Sequence, residues 1–443
     1  MFVFRAAAQF FRPAPHRERL PADAVNKLYP RYRWSILEST FIGYAVFYVV
    51  RNNLSVVARE MGTALHYDHA MIGDILSVAA ISYGLGKFLM GAVSDRCNPQ
   101  RFMPFGLVLT ALINFIFGSV ESYPLHVALW GLNGFVQGMG WPPCGRSLGH
   151  WFSVRERGAI FSIWNIAHNV GGGVAGVVAA WAAGQWGWSG AFIVPGIMAC
   201  IGAAYIFTRL HDTPQSVGLP PVEEYRNDYP SEVNEDHERE LSTRELFVDH
   251  VLNNRRLWLF AFANLFVYIV RYSMLDWGPT YLKEVKHATL AGGGLGVFVL
   301  EFAGIPSTVL MGWLSDRAGG RRGMVSLLCM VPILFAFVGL HLNPPGRLWL
   351  DMVFLGVIGF FVYPPVMLLG VAALDMSSKK AVGIAAGFVG LFGYAGRTIQ
   401  AKGLGLLAGN PAYGWDAVLQ SMYAATVIAI ALLAFTWKIR PRG

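Results

Sequence analysis

The chain has 443 residues, 54% of them hydrophobic and 14% charged, which is too little charged surface to coat a soluble domain of its size. A mean hydropathy of +0.44 and 50 glycines spread through apolar runs fit a polytopic helical membrane protein, in which small residues let helices approach closely. The net charge of +8 is explained by basic membrane-flanking loops and requires no nucleic-acid partner, while Cys97, Cys144, Cys200 and Cys329 lack any paired ligand spacing and imply neither a disulfide framework nor a metal site.

Residues 1–33 carry Arg5, Arg12, Arg17, Arg19, Lys27, Arg31 and Arg33 and read as an uncleaved cytoplasmic tail, because Pro13 and Pro15 break the phenylalanine-rich start. A hydrocarbon core of ~30 Å needs about 20 helical residues. Hydropathy then predicts twelve spans: 34–57, 69–93, 101–121, 125–150, 158–184 and 188–209, followed by 255–278, 290–314, 323–341, 347–372, 381–408 and 414–437. The expected fold is an all-α membrane protein with two six-helix pseudo-symmetric halves, 34–209 and 255–437. Residues 210–254, rich in proline and acids such as Glu223, Glu224 and Asp228, read as a solvated cytoplasmic linker, and 438–443 as a cytoplasmic tail. Arg96, Arg101, Arg146, Arg155, Arg157, Arg317, Arg321, Arg322, Lys379, Lys380, Lys438, Arg440 and Arg442 all fall on the side of the N-terminal tail. The opposite loops have few basic residues, chiefly Arg59, Lys283, Lys286 and Arg347, so both termini are expected in the cytoplasm.

The stretch Phe47-Tyr-Val-Val-Arg51-Asn-Asn53 sets an arginine inside a bilayer-length apolar run. On insertion scales this costs roughly 2.5–3.5 kcal/mol, so Arg51 should face a cavity or a partner. A near copy, Tyr268-Ile-Val-Arg271, follows 220 residues later. Gly91-Ala-Val-Ser-Asp95-Arg96 is repeated as Gly312-Trp-Leu-Ser-Asp316-Arg317, and Pro142-Pro143 as Pro364-Pro365, at nearly the same offset. Parallel repeats of six spans put a substrate site near the midplane where the repeats meet, with rocking of the halves giving alternating access.

The Gly-x-x-x-Asp-Arg turn, present twice, resembles the loop signature of the major facilitator superfamily. There Asp95, Arg96, Asp316 and Arg317 are expected to cap helix ends and pair across the cytoplasmic gate. The segments Phe135-Val-Gln-Gly-Met-Gly-Trp-Pro-Pro-Cys-Gly-Arg146, Trp164-Asn-Ile-Ala-His168-Asn-Val-Gly-Gly-Gly173, Asp212-Thr-Pro-Gln-Ser216 and Tyr281-Leu-Lys-Glu-Val-Lys-His287 are similar to the organophosphate:phosphate antiporters of that superfamily, above all to their glycerol-3-phosphate branch. The resemblance covers nearly the whole chain. It implies a monomeric bacterial inner-membrane antiporter, not an enzyme and without a cofactor, that exchanges glycerol-3-phosphate or a related three-carbon organophosphate for inorganic phosphate. It also implies that Arg51 and Arg271 hold the phosphate, with His168 beside it, Lys87 nearby, and Asn165, Tyr268, Tyr363 and Tyr394 lining the site. The alternatives are a phosphoglycerate or hexose-phosphate antiporter, a proton-coupled symporter, or a non-transporting organophosphate sensor, since the family also contains a receptor.

Residue chemistry agrees with these assignments. A phosphate ester carries about −1.5 to −2 charges near neutral pH, and guanidinium groups match its oxygens in fork geometry. At an effective dielectric constant of 20, each contact near 4 Å contributes on the order of 4 kcal/mol, comparable with the cost of placing an arginine there. Without substrate the two cations repel, and with it they are drawn together. An imidazole, with an ordinary pKa near 6.5, can add a third positive donor at His168. Asp276 and Glu301 are expected to pair with basic groups when the site is empty, and Tyr44, Tyr48 and Tyr83 to line the path. Two departures from the glycerol-3-phosphate pattern stand out: Asn52 follows Arg51 where lysine is expected, and Arg397 and Gln400 follow Tyr394 where small residues are expected. Arg397 is expected to pair with Glu301 or a backbone carbonyl. Contact with substrate would instead favour a second anionic group.

Overall fold

The computed structural model describes residues 9–228, 252–376 and 382–440. Lys379, Lys380, Arg442, the start of the N-terminal tail and most of the acidic part of the expected linker lie outside those residues. Among the described residues the regular structure is helical, and nine helical stretches are long and apolar enough to cross a membrane. Large apolar side chains such as Phe88, Phe335 and Trp349 are exposed, as expected of helices whose backbone bonds are satisfied internally and whose outer face meets lipid.

In chain order, α1 is Ala22–Val49, α2 Asn53–Leu65, α3 His69–Ser94, α4 Pro99–Phe117, α5 Tyr123–Gln137, α6 Trp141–Trp151, α7 Val154–Asn165 and α8 Ala167–Arg209. A five-residue helix, α9 (Val222–Arg226), follows. Then come α10 (Arg255–Tyr272), a π-turn (Ser273–Trp277), α11 (Gly278–Glu284), α12 (Leu290–Arg317), α13 (Arg322–Leu342), α14 (Leu348–Asp375), α15 (Val382–Gly409) and α16 (Gly414–Ala434). The fourth expected span is divided into α5 and α6 at Gly138-Met139-Gly140, while α8 holds most of the fifth span and the sixth, separated by a kink at Trp186 and Gly187, whose backbone is not helical.

The contacts divide into two compact units. One comprises the described residues up to Asn53, Ser82–Ala175 and 189–228; the other comprises Leu54–Ile81, Gly176–Trp188 and the described residues of the second half. The core of the first is built on Tyr44, Phe47, Met103, Leu107, Trp151 and Trp164. Its helices approach closely at Gly86 and Gly138, where a Cβ on either would collide with the backbone of Phe135 or of Gly86.

Two expectations need correction. Residues 210–228 are not a solvated linker but a strap packed on the first unit. Asp212 is 2% exposed and accepts from Arg146 at 2.7 Å and from the backbone N–H of Ala14 at 2.8 Å, while its carbonyl accepts from the indole of Trp151. Tyr225 stacks on Tyr29 at 3.9 Å, and Asp228 accepts the backbone N–H of Arg155. Lys283 and Lys286, expected in an open loop, are buried instead because the seventh span continues through α11 to Glu284. Lys283 donates to Glu60 at 2.5 Å and to the Val56 carbonyl at 2.7 Å, and Lys286 donates to the Asn343 carbonyl.

Candidate functional site

In the first unit the candidate site is assembled where helices are interrupted. The helix carrying Arg51 breaks at Val50–Asn52, between α1 and α2. Consecutive asparagines favour such a break, because their short amides compete for backbone partners. Asn53 donates to Asn114 at 2.8 Å and to the Ala191 carbonyl at 2.9 Å, and the Val50 carbonyl, left at the break, accepts from Asn133 at 3.2 Å. Arg51 is thereby presented between two aromatic faces, 4.4 Å from the ring centre of Tyr48 and 4.1 Å from that of Tyr83. Cation–π contact with both rings offsets part of the cost of a guanidinium in the bilayer, at about 0.5–2 kcal/mol each. The Gln137 carbonyl oxygen accepts from Nε of Arg51 at 3.2 Å and from Nη2 at 3.1 Å.

His168 also follows an interruption, at Ile166 between α7 and α8, and its Nδ1 meets the Asn165 carbonyl. Its ring lies 5.7 Å from Tyr48, so the imidazole, Tyr48 and Arg51 form one contiguous group. Tyr44 extends the group, 5.4 Å from Tyr48 and stacked on Trp164 at 4.8 Å. Lys87, one helical turn after Tyr83 on α3, points its Nζ toward Trp141, 5.4 Å from the ring centre.

In the second unit Arg271 is 5% exposed and sits one residue before the end of α10, where the π-turn begins. π-turns cluster at functional sites because they redirect side chains that a regular helix would leave on the wrong face. The Arg271 guanidinium lies 4.6 Å from the ring centre of Tyr363 and 5.0 Å from that of Tyr272. Tyr268 and Tyr394 are 5.8 Å apart, and Tyr268 lies 5.6 Å from Tyr272, which joins all four tyrosines to this arginine. Glu301 is fully buried on α12.

Arg397 pairs with Asp276, at 3.5 Å, and its guanidinium lies 4.1 Å from the ring centre of Tyr272. Asp276 also accepts from Gln400 at 2.7 Å. The π-turn carries Asp276 toward α15, a shift that counting at 100° per residue does not foresee. Tyr272 therefore has a guanidinium near its ring from both Arg271 and Arg397, at distances that together leave at most 9.1 Å between them. Of the residues expected at the gate, Asp316 pairs with Arg322 at 2.5 Å and Arg317 lies over Trp313, while Asp95 and Arg96 are exposed and form no ion pair among the described residues. The residues that sequence reasoning missed are Gln137, Asn133, Asn114 and Tyr272. The only signal for the first three was a neutral amide inside an apolar run.

Membrane-length helices interrupted beside buried or half-buried cations are a pattern of polytopic transporters. The chain belongs to the Major Facilitator Superfamily, whose profile matches residues 40–401. It is 42% identical over 443 residues to the glycerol-3-phosphate transporter of Bacillus subtilis, covering 98% of both chains. It is also 42% identical to the glycerol-3-phosphate transporter of Haemophilus influenzae, covering 95% of this chain and 94% of that one. Among solved structures it matches a bacterial homologue of the human lysosomal transporter Spinster with a TM-score of 0.70 at 16% identity, covering 92% of this chain and 95% of that one.

Proposed function

We propose that the protein exchanges a phosphorylated three-carbon compound, foremost glycerol-3-phosphate, for inorganic phosphate across the bacterial inner membrane by alternating access, with both termini cytoplasmic. The observation that carries this reading is the preparation of Arg51: two aromatic faces and one amide oxygen fix a guanidinium beside an imidazole in an apolar span, an arrangement suited to a dianionic oxyanion. The relatives named as glycerol-3-phosphate transporters support the substrate class. In this reading Arg51 and Arg271 share one dianion, His168 and Lys87 add positive charge, and Asn165, Tyr268, Tyr363 and Tyr394 donate hydrogen bonds. Asp276 and Glu301 balance charge between substrates.

The engagement of Arg397 by Asp276 favours a substrate whose other end is an uncharged polyol over one with a carboxylate. Proteoliposomes loaded with labelled phosphate provide the test. External glycerol-3-phosphate should release the label faster than phosphoglycerate or a hexose phosphate. Binding without label release would support a sensor instead, and uptake that needs no internal phosphate but collapses with an uncoupler would support proton symport.

A further inference from the structure

The side chain of Gln137 is placed by Arg51 in a way that settles which end of its amide faces which neighbour. A guanidinium has only donors, so the group that receives both Nε and Nη2 must be the carbonyl oxygen. The NH2 is therefore directed away from the cation, yet remains on the same small planar amide. Gln137 is 1% exposed, and its Nε2 meets no acceptor among the described residues. A buried donor without a partner is costly, and such groups in native proteins call for an explanation.

We propose that Gln137 is a substrate-binding residue: its NH2 donates to an oxygen of the same phosphate that Arg51 holds, so that one side chain both steers the guanidinium and reads the anion. This rests on the phosphate-exchange reading above. The residue lies where such a role is feasible, at the last position of α5 before the Gly138–Gly140 interruption. Asn133, one turn earlier on α5, holds the Val50 carbonyl, so the two amides of α5 grip consecutive residues, the backbone of Val50 and the side chain of Arg51. Asn133 is thus a positioning residue and Gln137 a contact residue.

The test is binding of glycerol-3-phosphate and of inorganic phosphate to the full-length protein in lipid nanodiscs, from pH 5.5 to 7.5, for wild type, Gln137→Met, Gln137→Glu and Arg51→Lys. The charged and titratable groups around the position are Arg51, Tyr48, Tyr83, Lys87 and His168. All are common to wild type and both Gln137 variants, so a change of profile between these belongs to position 137. Gln137→Met should bind at least tenfold more weakly. Gln137→Glu keeps an oxygen for Arg51 but replaces the donor by an acceptor. It should remain folded and bind the protonated ester, so its affinity relative to wild type should fall as pH rises through the second ionisation of the ester, near pH 6.

A carboxylate at position 137 repels a dianion whether or not the native amide touches it, so an unchanged pH profile in Gln137→Glu, or Gln137→Met within threefold of wild type, overturns the assignment. A role confined to steadying Arg51 leaves the 15N-labelled side-chain amide of Gln137 unmoved when phosphate saturates the wild type, whereas direct donation shifts it, and an unmoved amide also overturns the assignment. If Gln137→Met does not fold, that amide shift decides. Absence of binding by wild type overturns the phosphate reading itself. Binding lost in Arg51→Lys but intact in the Gln137 variants overturns only the role of Gln137.

Discussion

A guanidinium held between two tyrosine rings is fixed in direction as well as charge, and at Arg51 and Arg271 this fixes what a substitution can do. Lysine keeps the charge but loses both the planar face that stacks on Tyr48 and Tyr83 and the fork that grips two oxygens. Arg51→Lys or Arg271→Lys should therefore reduce exchange by about 100-fold or more, on the order of 3 kcal/mol, while the purified protein keeps its melting temperature. Transport in proteoliposomes alongside a thermal-shift measurement checks this, and near-normal exchange in either variant contradicts it. Asp276→Asn should release Arg397 and raise phosphoglycerate transport relative to glycerol-3-phosphate by about tenfold, because a cation of this kind prefers an anionic partner. A competition assay with both substrates reads the ratio. At this scale the two arginines were legible from the sequence because a charge inside an apolar run is conspicuous and expensive. Gln137 was not, because a neutral amide carries no comparable penalty, and neither was the pairing of Arg397 with Asp276, because the π-turn changes the register on which helical faces are counted.

Helices that break beside their functional side chains depend on close contacts to stay in place. Gly86 of α3 and Gly138 after α5 lie back to back, which sets Lys87 and Gln137 one residue from the contact point. Gly86→Val should force α3 from α5, lower the melting temperature by several degrees and weaken phosphate binding. Gly184→Val, at a position with open space around it, serves as the control and should leave both close to wild type.

The strap 210–228 offers a second test at this level. The backbone N–H of Arg155 and the Arg155 side chain hold the Asp228 carboxyl below the usual carboxylate range. Its folded pKa is thus lower than its unfolded one, so this contribution is complete above the unfolded value, near 3.9, and is lost as pH falls through the folded value. Protection factors of the strap amides, corrected for the intrinsic exchange rate at each pH, should fall as pH drops below about 4. Asp228→Asn should remove that dependence and leave exchange elsewhere unchanged. Proline and acidic residues made the strap read as solvated, because composition does not reveal that Asp212 finds Arg146, Ala14 and Trp151.

For the whole molecule, the helical class and the internal repeat were legible because a bilayer imposes a length and a composition on every span, and because duplicated motifs keep their spacing over 220 residues. The interruptions at Val50–Asn52, Gly138–Gly140, Ile166 and the π-turn were not, since hydropathy averages over them. The proposed exchange mechanism requires one dianion to engage an arginine from each half of the chain. Calorimetric titration of phosphate into wild type, Arg51→Lys, Arg271→Lys and the double variant tests this requirement most directly. A shared dianion predicts one phosphate per chain, bound more weakly in each single variant and at least as weakly in the double one. Two phosphates per chain, or a single variant that loses one site and keeps another at wild-type affinity, would contradict it.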